Sequence, residues 1–279
     1  MKEKIDLINK RLKALIPLSK KYHKELFAAA NYSLQSSGKR IRPLLVLLTV
    51  ESLKKDITEA IDPACAIEMI HTYSLIHDDL PSMDDDDFRR GKPSLHKAYS
   101  EWLAILTGDY LLTYAFEILS NAKKLSAAQK IELIKCISKY AGGDGLIAGQ
   151  VADLSWEGKS IDLKKLEFMH FNKTATLFIA AIEFGCIIAK AKKDIKEKYI
   201  NYAKNFGLAF QFFNDIAGNK KESSDKIHKK ATAVSMLGLA KTKKLAFDFQ
   251  KKALDILKSL PFNTDELEKI TKQVSEKIS

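Results

Sequence analysis

The run Ile67-Glu68-Met69-Ile70-His71-Thr72-Tyr73-Ser74-Leu75-Ile76-His77-Asp78-Asp79-Leu80-Pro81-Ser82-Met83-Asp84-Asp85-Asp86-Asp87 decides how the chain is read. Its first half continues a helical pattern over 60–80 that is rich in Ala64, Ala66, Ile67, Met69, Ile70, Leu75 and Ile76. A helix so apolar belongs largely in an interior. Its second half places six carboxylates within ten residues, and these repel one another unless something positive binds them. Carboxylate oxygens are the ligands Mg²⁺ prefers, with water and substrate phosphate completing its octahedron. Asp78 and Asp84 stand six apart, a step a regular helix does not align, but Pro81 interrupts the helix and a local bulge would return Asp84 to Asp78. A solvated acidic loop is the competing reading of these residues alone.

Phe88-Arg89-Arg90-Gly91 follows at once and sets two forked cations beside the carboxylates. Asp holding metal, metal holding phosphate and Arg taking the remaining oxygens is the arrangement a metal-bridged diphosphate needs; a surface salt-bridge patch is the alternative. The chain has 46 Lys+Arg, of which only Arg11, Arg40, Arg42, Arg89 and Arg90 are arginine. Arg offers a rigid bidentate fork that Lys lacks, and four of the five fall in two tight clusters. The other cluster, Gly38-Lys39-Arg40-Ile41-Arg42-Pro43, opens an apolar helix, and such an N-terminus can help cradle an anion. Downstream, Lys173-Thr174 interrupts an apolar helix, and Phe210-Gln211-Phe212-Phe213-Asn214-Asp215-Ile216 sets polar groups among aromatic ones. That last run suggests a second polar site, or a capped helix end.

Elsewhere the chain reads with period 3.6. Only 12 Gly and 6 Pro occur in 279 residues. The spacing predicts an opening helix through Ile5, Ile8, Leu12, Leu15 and Ile16, then helices at about 21–36, 41–54, 60–80, 94–120, 127–141, 163–191, 194–218, 231–258 and 264–278. An all-α fold in a single domain, residues 1–279, is the economical reading, although length alone would allow two. Cys65, Cys136 and Cys186 are odd in number and widely spaced, which argues against disulfides or a zinc site and for buried small hydrophobes in a reducing cytoplasm. No signal peptide and no uncharged run of about 18 apolar residues is seen. The net charge of +11 raises nucleic acid as a partner, but the lysines are dispersed and no nucleic-acid motif accompanies them.

The ordered set Gly38-Lys39-Arg40-Ile41-Arg42-Pro43, His77-Asp78-Asp79-Leu80-Pro81-Ser82-Met83-Asp84, Arg89-Arg90-Gly91-Lys92-Pro93, Gly108-Asp109, Gly149-Gln150, Asp153, Lys173-Thr174 and Phe210-Gln211 resembles the trans-isoprenyl diphosphate synthases, and among them the bacterial farnesyl diphosphate synthases. The likeness runs from about residue 30 to 240. It implies the isoprenoid synthase fold, a helical bundle around a central cavity, usually homodimeric. It further implies an enzyme that condenses isopentenyl diphosphate with dimethylallyl or geranyl diphosphate. By motif, Asp78 and Asp84 would bind Mg²⁺ with Asp79 assisting. Arg89, Lys173 and Lys230 would hold the allylic diphosphate, and Lys39, Arg42, His71 and Arg90 the isopentenyl diphosphate. Thr174 and Gln211 would lie near the reacting carbons, and Tyr73 and Ser74 would limit chain length. No nucleic acid and no integral membrane segment belong to this picture.

The resemblance also implies three Mg²⁺, and here the sequence departs from it. The family's second motif normally reads Asp-Asp-x-x-Asp; this chain has Asn214-Asp215-Ile216-Ala217-Gly218. Asn keeps an oxygen and loses the charge, so the third ion should bind more weakly. The run Asn214 to Glu222 also resembles the Asn-Asp-x-x-Ser-x-x-x-Glu metal motif of class I terpene cyclases, with Gly218 for Ser, and Glu222 would restore the lost charge. Three readings stand: an active short-chain synthase, a cyclase-like lyase on the same fold, and a weakly active or non-catalytic homologue.

Overall fold

The computed structural model describes residues 1–16, 22–219 and 232–278. Among them the chain is almost wholly helical: α1 (Lys2–Leu15), α2 (Lys24–Leu34), α3 (Ile41–Ser52), α4 (Ile61–Asp78), α5 (Leu95–Ala98), α6 (Glu101–Ser120), α7 (Ala127–Ala141), α8 (Leu146–Ser155), α9 (Leu163–His170), α10 (Thr176–Ile188), α11 (Lys193–Asn219), α12 (Ala233–Leu237), α13 (Leu239–Lys258) and α14 (Asp265–Gln273). The one sheet described is an antiparallel pair, β1 (Phe88–Arg89) with β2 (Lys92–Pro93). The chain divides into two compact units, Met1–Leu47 with Ile57–Ile134, and Leu48–Asp56 with Lys135–Ser279.

In the first unit α4 packs along α6 and against α1 and α2. Ala64, Cys65, Ile67, Met69 and Ile70 are fully buried, as a helix without a polar face requires. The one carboxylate in that stretch, Glu68, is 1% exposed and is met by Arg40 at 2.7 Å. A buried charge survives only when paired and hydrogen-bonded. Arg40 meets that condition: it also donates to Asn9 Oδ1 at 2.9 Å, Ser36 O at 3.2 Å and Leu34 O. Arg40 therefore pins α4 to the segment after α2.

In the second unit α10 is buried on every side except at Glu183, whose carboxylate receives Tyr140 OH at 3.1 Å and Lys196 Nζ at 2.5 Å. Helix α11 lies along α13 and α10. The three cysteines are free and buried.

Four details differ from the sequence pattern. The predicted helix 94–120 breaks at Tyr99–Ser100 into α5 and α6, and 231–258 breaks at Gly238, whose φ is 78°. Helix α8 was not foreseen: its small residues Gly149 and Ala152 face inward while Ile147 and Val151 are exposed, so the apolar spacing points the wrong way. The helix over 163–191 is continuous but contains a π turn, Phe171–Ala175. Two helical stretches, Glu101–Ser120 and Leu163–Ile188, are long and apolar enough by length and composition to cross a bilayer, isolated charges having hidden them from a search for uninterrupted runs; the second is 83% buried, as a core helix is.

Candidate active site

In the first unit, α4 ends at Asp78, three residues before Pro81. The chain then turns: Leu80 N–H bonds His77 O, Met83 and Asp85 N–H bond Leu80 O, and Asp84 N–H returns to Asp78 O at 2.9 Å. Two residues six apart thus become backbone neighbours, as the bulge reading expects. Asp84 is buried and Asp78 half-buried, an all-oxygen carboxylate pair of the kind Mg²⁺ takes. Asp79 is 2% exposed. Burial pushes its carboxyl up, and the hydrogen bonds of Arg89 oppose that. Arg89 Nε donates to Asp79 Oδ1 at 2.8 Å, its Nη2 reaches the same oxygen, and Nη2 also meets Asp86 at 2.7 Å. Arg89 is thus tied to two of the acidic residues.

Arg89 and Arg90 are presented by the β1–β2 hairpin, whose two loop residues Arg90 and Gly91 have φ of 56° and 78°. Two-residue hairpins favour positive φ at both central positions, and Gly91 meets this freely while Arg90 is held there. Arg90 reaches toward Ser36 Oγ at 3.4 Å, and its guanidinium packs over Gly38, where an added Cβ would lie 2.9 Å from Nη1. Arg42 Nη1 donates to His71 Nε2 at 3.2 Å. Burial lowers Arg42 to about 10, with Arg90 adding to the effect, and burial followed by Arg42 holds His71 well below the usual imidazole range. The guanidinium groups of Arg42 and Arg90 repel one another, an effect that Glu68 offsets at both and Asp79 at Arg90. Lys39 is exposed. An anion would relieve this arrangement. One turn and more along α4 from Asp78, Tyr73 is buried against the His77 ring at 5.8 Å, and Ser74 Oγ donates to His71 O at 2.9 Å.

In the second unit the π turn carries Lys173 and Thr174. Its neighbour α8 approaches so closely that a Cβ on Gly149 would lie 2.1 Å from Lys173 N. One turn further on α8, Asp153 holds Lys173 Nζ at 2.5 Å. Thr174 Oγ1 donates to Gln211 Oε1 at 2.9 Å, and Gln211 Nε2 donates to Asp215 Oδ1 at 2.8 Å. Asp215 Oδ2 receives Ala233 N–H at 2.7 Å, and His170 Nε2 lies 3.4 Å away. Thr174, Gln211 and Asp215 therefore form one connected group, and Lys173, next to Thr174 in the chain, is held separately by Asp153. Asp215, the second residue of the Asn-Asp motif, is 6% exposed, and its carboxylate accepts from these neighbours. Glu222 and Lys230 lie outside the described residues. Sequence reasoning gave Arg40 no role and did not single out His170; both are buried partners of an acid, which only the tertiary contacts reveal.

The polyprenyl synthetase family model matches residues 23–274. A farnesyl diphosphate synthase of Geobacillus stearothermophilus is 45% identical over 81% of this chain and 80% of its own. A farnesyl diphosphate synthase of Micrococcus luteus is 42% identical over 93% of both. Among solved structures, an FPP/GFPP synthase of Zymomonas mobilis superposes with a TM-score of 0.90 at 35% identity, over 98% of this chain and 96% of that one. A geranyltransferase of Helicobacter pylori complexed with magnesium and isoprenyl diphosphate gives 0.87 at 31% identity, over 99% and 95%. The chain belongs to the polyprenyl synthetase family, the trans-isoprenyl diphosphate synthases. It is a prenyltransferase that makes short-chain prenyl diphosphates, and neither the cyclase nor the non-catalytic reading is favoured.

Proposed function

We propose that this enzyme joins isopentenyl diphosphate to dimethylallyl or geranyl diphosphate and stops at farnesyl diphosphate. The observation that carries the two-substrate reading is the group Arg42, His71 and Arg90, in which Arg42 is hydrogen-bonded to a neutral His71 and Arg90 lies near enough to act on both. A cyclase has one diphosphate to bind and no use for this group. Lys39, Arg42, His71 and Arg90 hold the isopentenyl diphosphate, the neutral imidazole accepting a hydrogen bond from Arg42 and leaving the guanidinium charge for the anion. Arg89, Lys173 and Lys230 hold the allylic diphosphate.

Asp78 and Asp84, with Asp79 assisting, hold Mg²⁺, which when bound supplies charge neutralisation to the departing diphosphate. The carbon–oxygen bond of the allylic substrate breaks with its electron pair going to diphosphate, and Arg89 and Lys173 stabilise that charge. The isopentenyl double bond then attacks the allylic cation, which moves the positive charge to the tertiary carbon of that substrate, and the departed diphosphate takes a proton from the carbon beside it. Thr174 and Gln211 lie at the reacting carbons, oriented through Asp215. We assign three Mg²⁺, the third held weakly by Asn214, Asp215 and Glu222. Tyr73, flanked by Ser74, floors the cavity about 7 Å along α4 from Asp78 and favours C15.

We assign residues 1–279 to a single polyprenyl synthase-like domain, a reading that the family match over residues 23–274 supports. The enzyme is a cytoplasmic homodimer, a reading supported by Trp102, Ile105 and Leu106, which expose an apolar strip on α6. The test is incubation with Mg²⁺, isopentenyl diphosphate and either allylic diphosphate, with analysis of diphosphates and hydrocarbons. Farnesyl diphosphate as the end product is expected. Hydrocarbon from the allylic substrate alone would support a cyclase, and binding without turnover a non-catalytic homologue.

A further inference from the structure

Beyond the residues already assigned, the acidic run leaves Asp85 and Asp87 without a role, and both are exposed. Residue 96, on the short helix after the hairpin, completes their surroundings. His96 is 7% exposed, and its Nε2 is buried with no hydrogen-bond partner. That nitrogen lies 3.9 Å from Asp85 Oδ1, too far for a hydrogen bond. Ligand atoms from Asp85, Asp87 and His96 all lie within 4.8 Å of one another, the one such trio among the described residues. A buried polar atom without a partner is costly, so the geometry asks for something between the imidazole and the two carboxylates.

We infer that Asp85, Asp87 and His96 form a site for a divalent transition metal, separate from the Mg²⁺ carboxylates Asp78 and Asp84. One imidazole with two carboxylates is a donor set that Zn²⁺ or Co²⁺ takes more readily than Mg²⁺. Bonds of about 2.0–2.2 Å set tetrahedral ligand atoms roughly 3.3 Å apart, so the exposed carboxylates need to close in only slightly on a fixed imidazole. The imidazole can be prepared for this: Ser94 Oγ lies 3.2 Å from His96 Nδ1, and in the Nδ1–H tautomer Ser94 accepts a hydrogen bond from Nδ1–H and Nε2 is the bare donor, the usual outer support of a metal-bound histidine. Ser94 N–H also bonds Asp87 O at 2.8 Å, holding the two ends of the trio together. The competing cation is Lys97, whose Nζ meets Asp87 Oδ1 at 2.9 Å. A metal must displace it. Once bound, the ion would tether the loop that carries Asp84 to the element that follows the hairpin of Arg89 and Arg90.

The probe is Co²⁺, titrated into the full-length, metal-stripped enzyme in excess Mg²⁺ and followed by its d–d absorption. One equivalent of Co²⁺ with nitrogen ligation is expected. The Asp85→Asn/Asp87→Asn double variant, altered only at exposed positions, should weaken it by about tenfold or more, since even outer partners carry about 10–100-fold. Lys97→Ala should tighten it by freeing Asp87, an effect that a salt bridge of purely structural value would not give. A Co²⁺ spectrum and affinity that the double variant leaves unchanged would overturn the site. So would the absence of any Co²⁺ uptake above that explained by the Mg²⁺ carboxylates, measured as uptake that excess Mg²⁺ abolishes.

Discussion

The backbone N–H of Asp84 bonds the carbonyl of Asp78 at 2.9 Å, so the acidic pair is set by main-chain geometry rather than by its side chains. Changing the carboxylates should therefore leave the loop in place. Asp78→Asn or Asp84→Asn is expected to lower kcat by about 10²-fold or more, the scale of losing one preorganised electrostatic partner. Urea unfolding of the metal-free protein should change little, and a large fall in its midpoint would contradict the backbone account.

Arg40 and Glu68 are 3% and 2% exposed at their side chains. Arg40→Met alone leaves a buried carboxylate without its partner and should cost about 3–5 kcal/mol of stability. Arg40→Met with Glu68→Gln should recover part of that loss. Denaturant midpoints of both single variants and of the double variant measure this, and losses that simply add would mean the pair is not coupled.

His71 gives the fold a pH dependence of definite sign. Burial and Arg42 favour the neutral ring in the folded state, whereas in the unfolded chain it titrates near about 6.5. The stability from this group is complete above that value and is lost as pH falls below it toward the depressed folded pKa. The urea midpoint of wild type should fall between about pH 7 and pH 5 more steeply than that of His71→Gln. Inorganic diphosphate, by bringing negative charge to the cation group, should reduce the difference.

Asn214→Asp restores a carboxylate to the second motif. The variant is expected to reach half-maximal rate at lower Mg²⁺, read from the Mg²⁺ dependence of turnover. An unchanged dependence would remove Asn214 from the metal assignment.

Gly149→Val forces a side chain against the Lys173 backbone, where even a Cβ finds an atom at 2.1 Å. A loss of about 1–3 kcal/mol is the usual cost of overpacking, and backbone rather than a flexible side chain is the obstacle here. Activity should fall with it, because the displaced segment carries Lys173 and Thr174. Thermal unfolding and kcat read the two effects separately.

The helices and the acidic motif were legible because they are local: apolar spacing gives α4 and α10, and Pro81 gives the break between Asp78 and Asp84. What the sequence did not reveal is long-range. Arg40 looked like one more member of a basic cluster, yet it is consumed by Glu68, 28 positions away. Asp215 stands in the second motif, and nothing in the sequence signals that its oxygens accept from Gln211 and from Ala233 N–H. Helix α8 escaped notice because close backbone approach at Gly149, not apolar spacing, decides which of its faces turns inward.

The π turn at Phe171–Ala175 inserts one residue beyond a regular helical count, and one residue is about 100° of rotation. Every side chain of α10 is thus turned about a third of a circle from where an unbroken helix would aim it. An amphipathic helix would not tolerate such a phase shift, since its polar face would swing into the core. Helix α10 is apolar almost all round, and Glu183 alone among its residues carries a charge. A single-residue deletion within 171–175 would straighten the helix, rotate Glu183 away from Tyr140 and Lys196, and leave the rest of α10 chemically indifferent to the change.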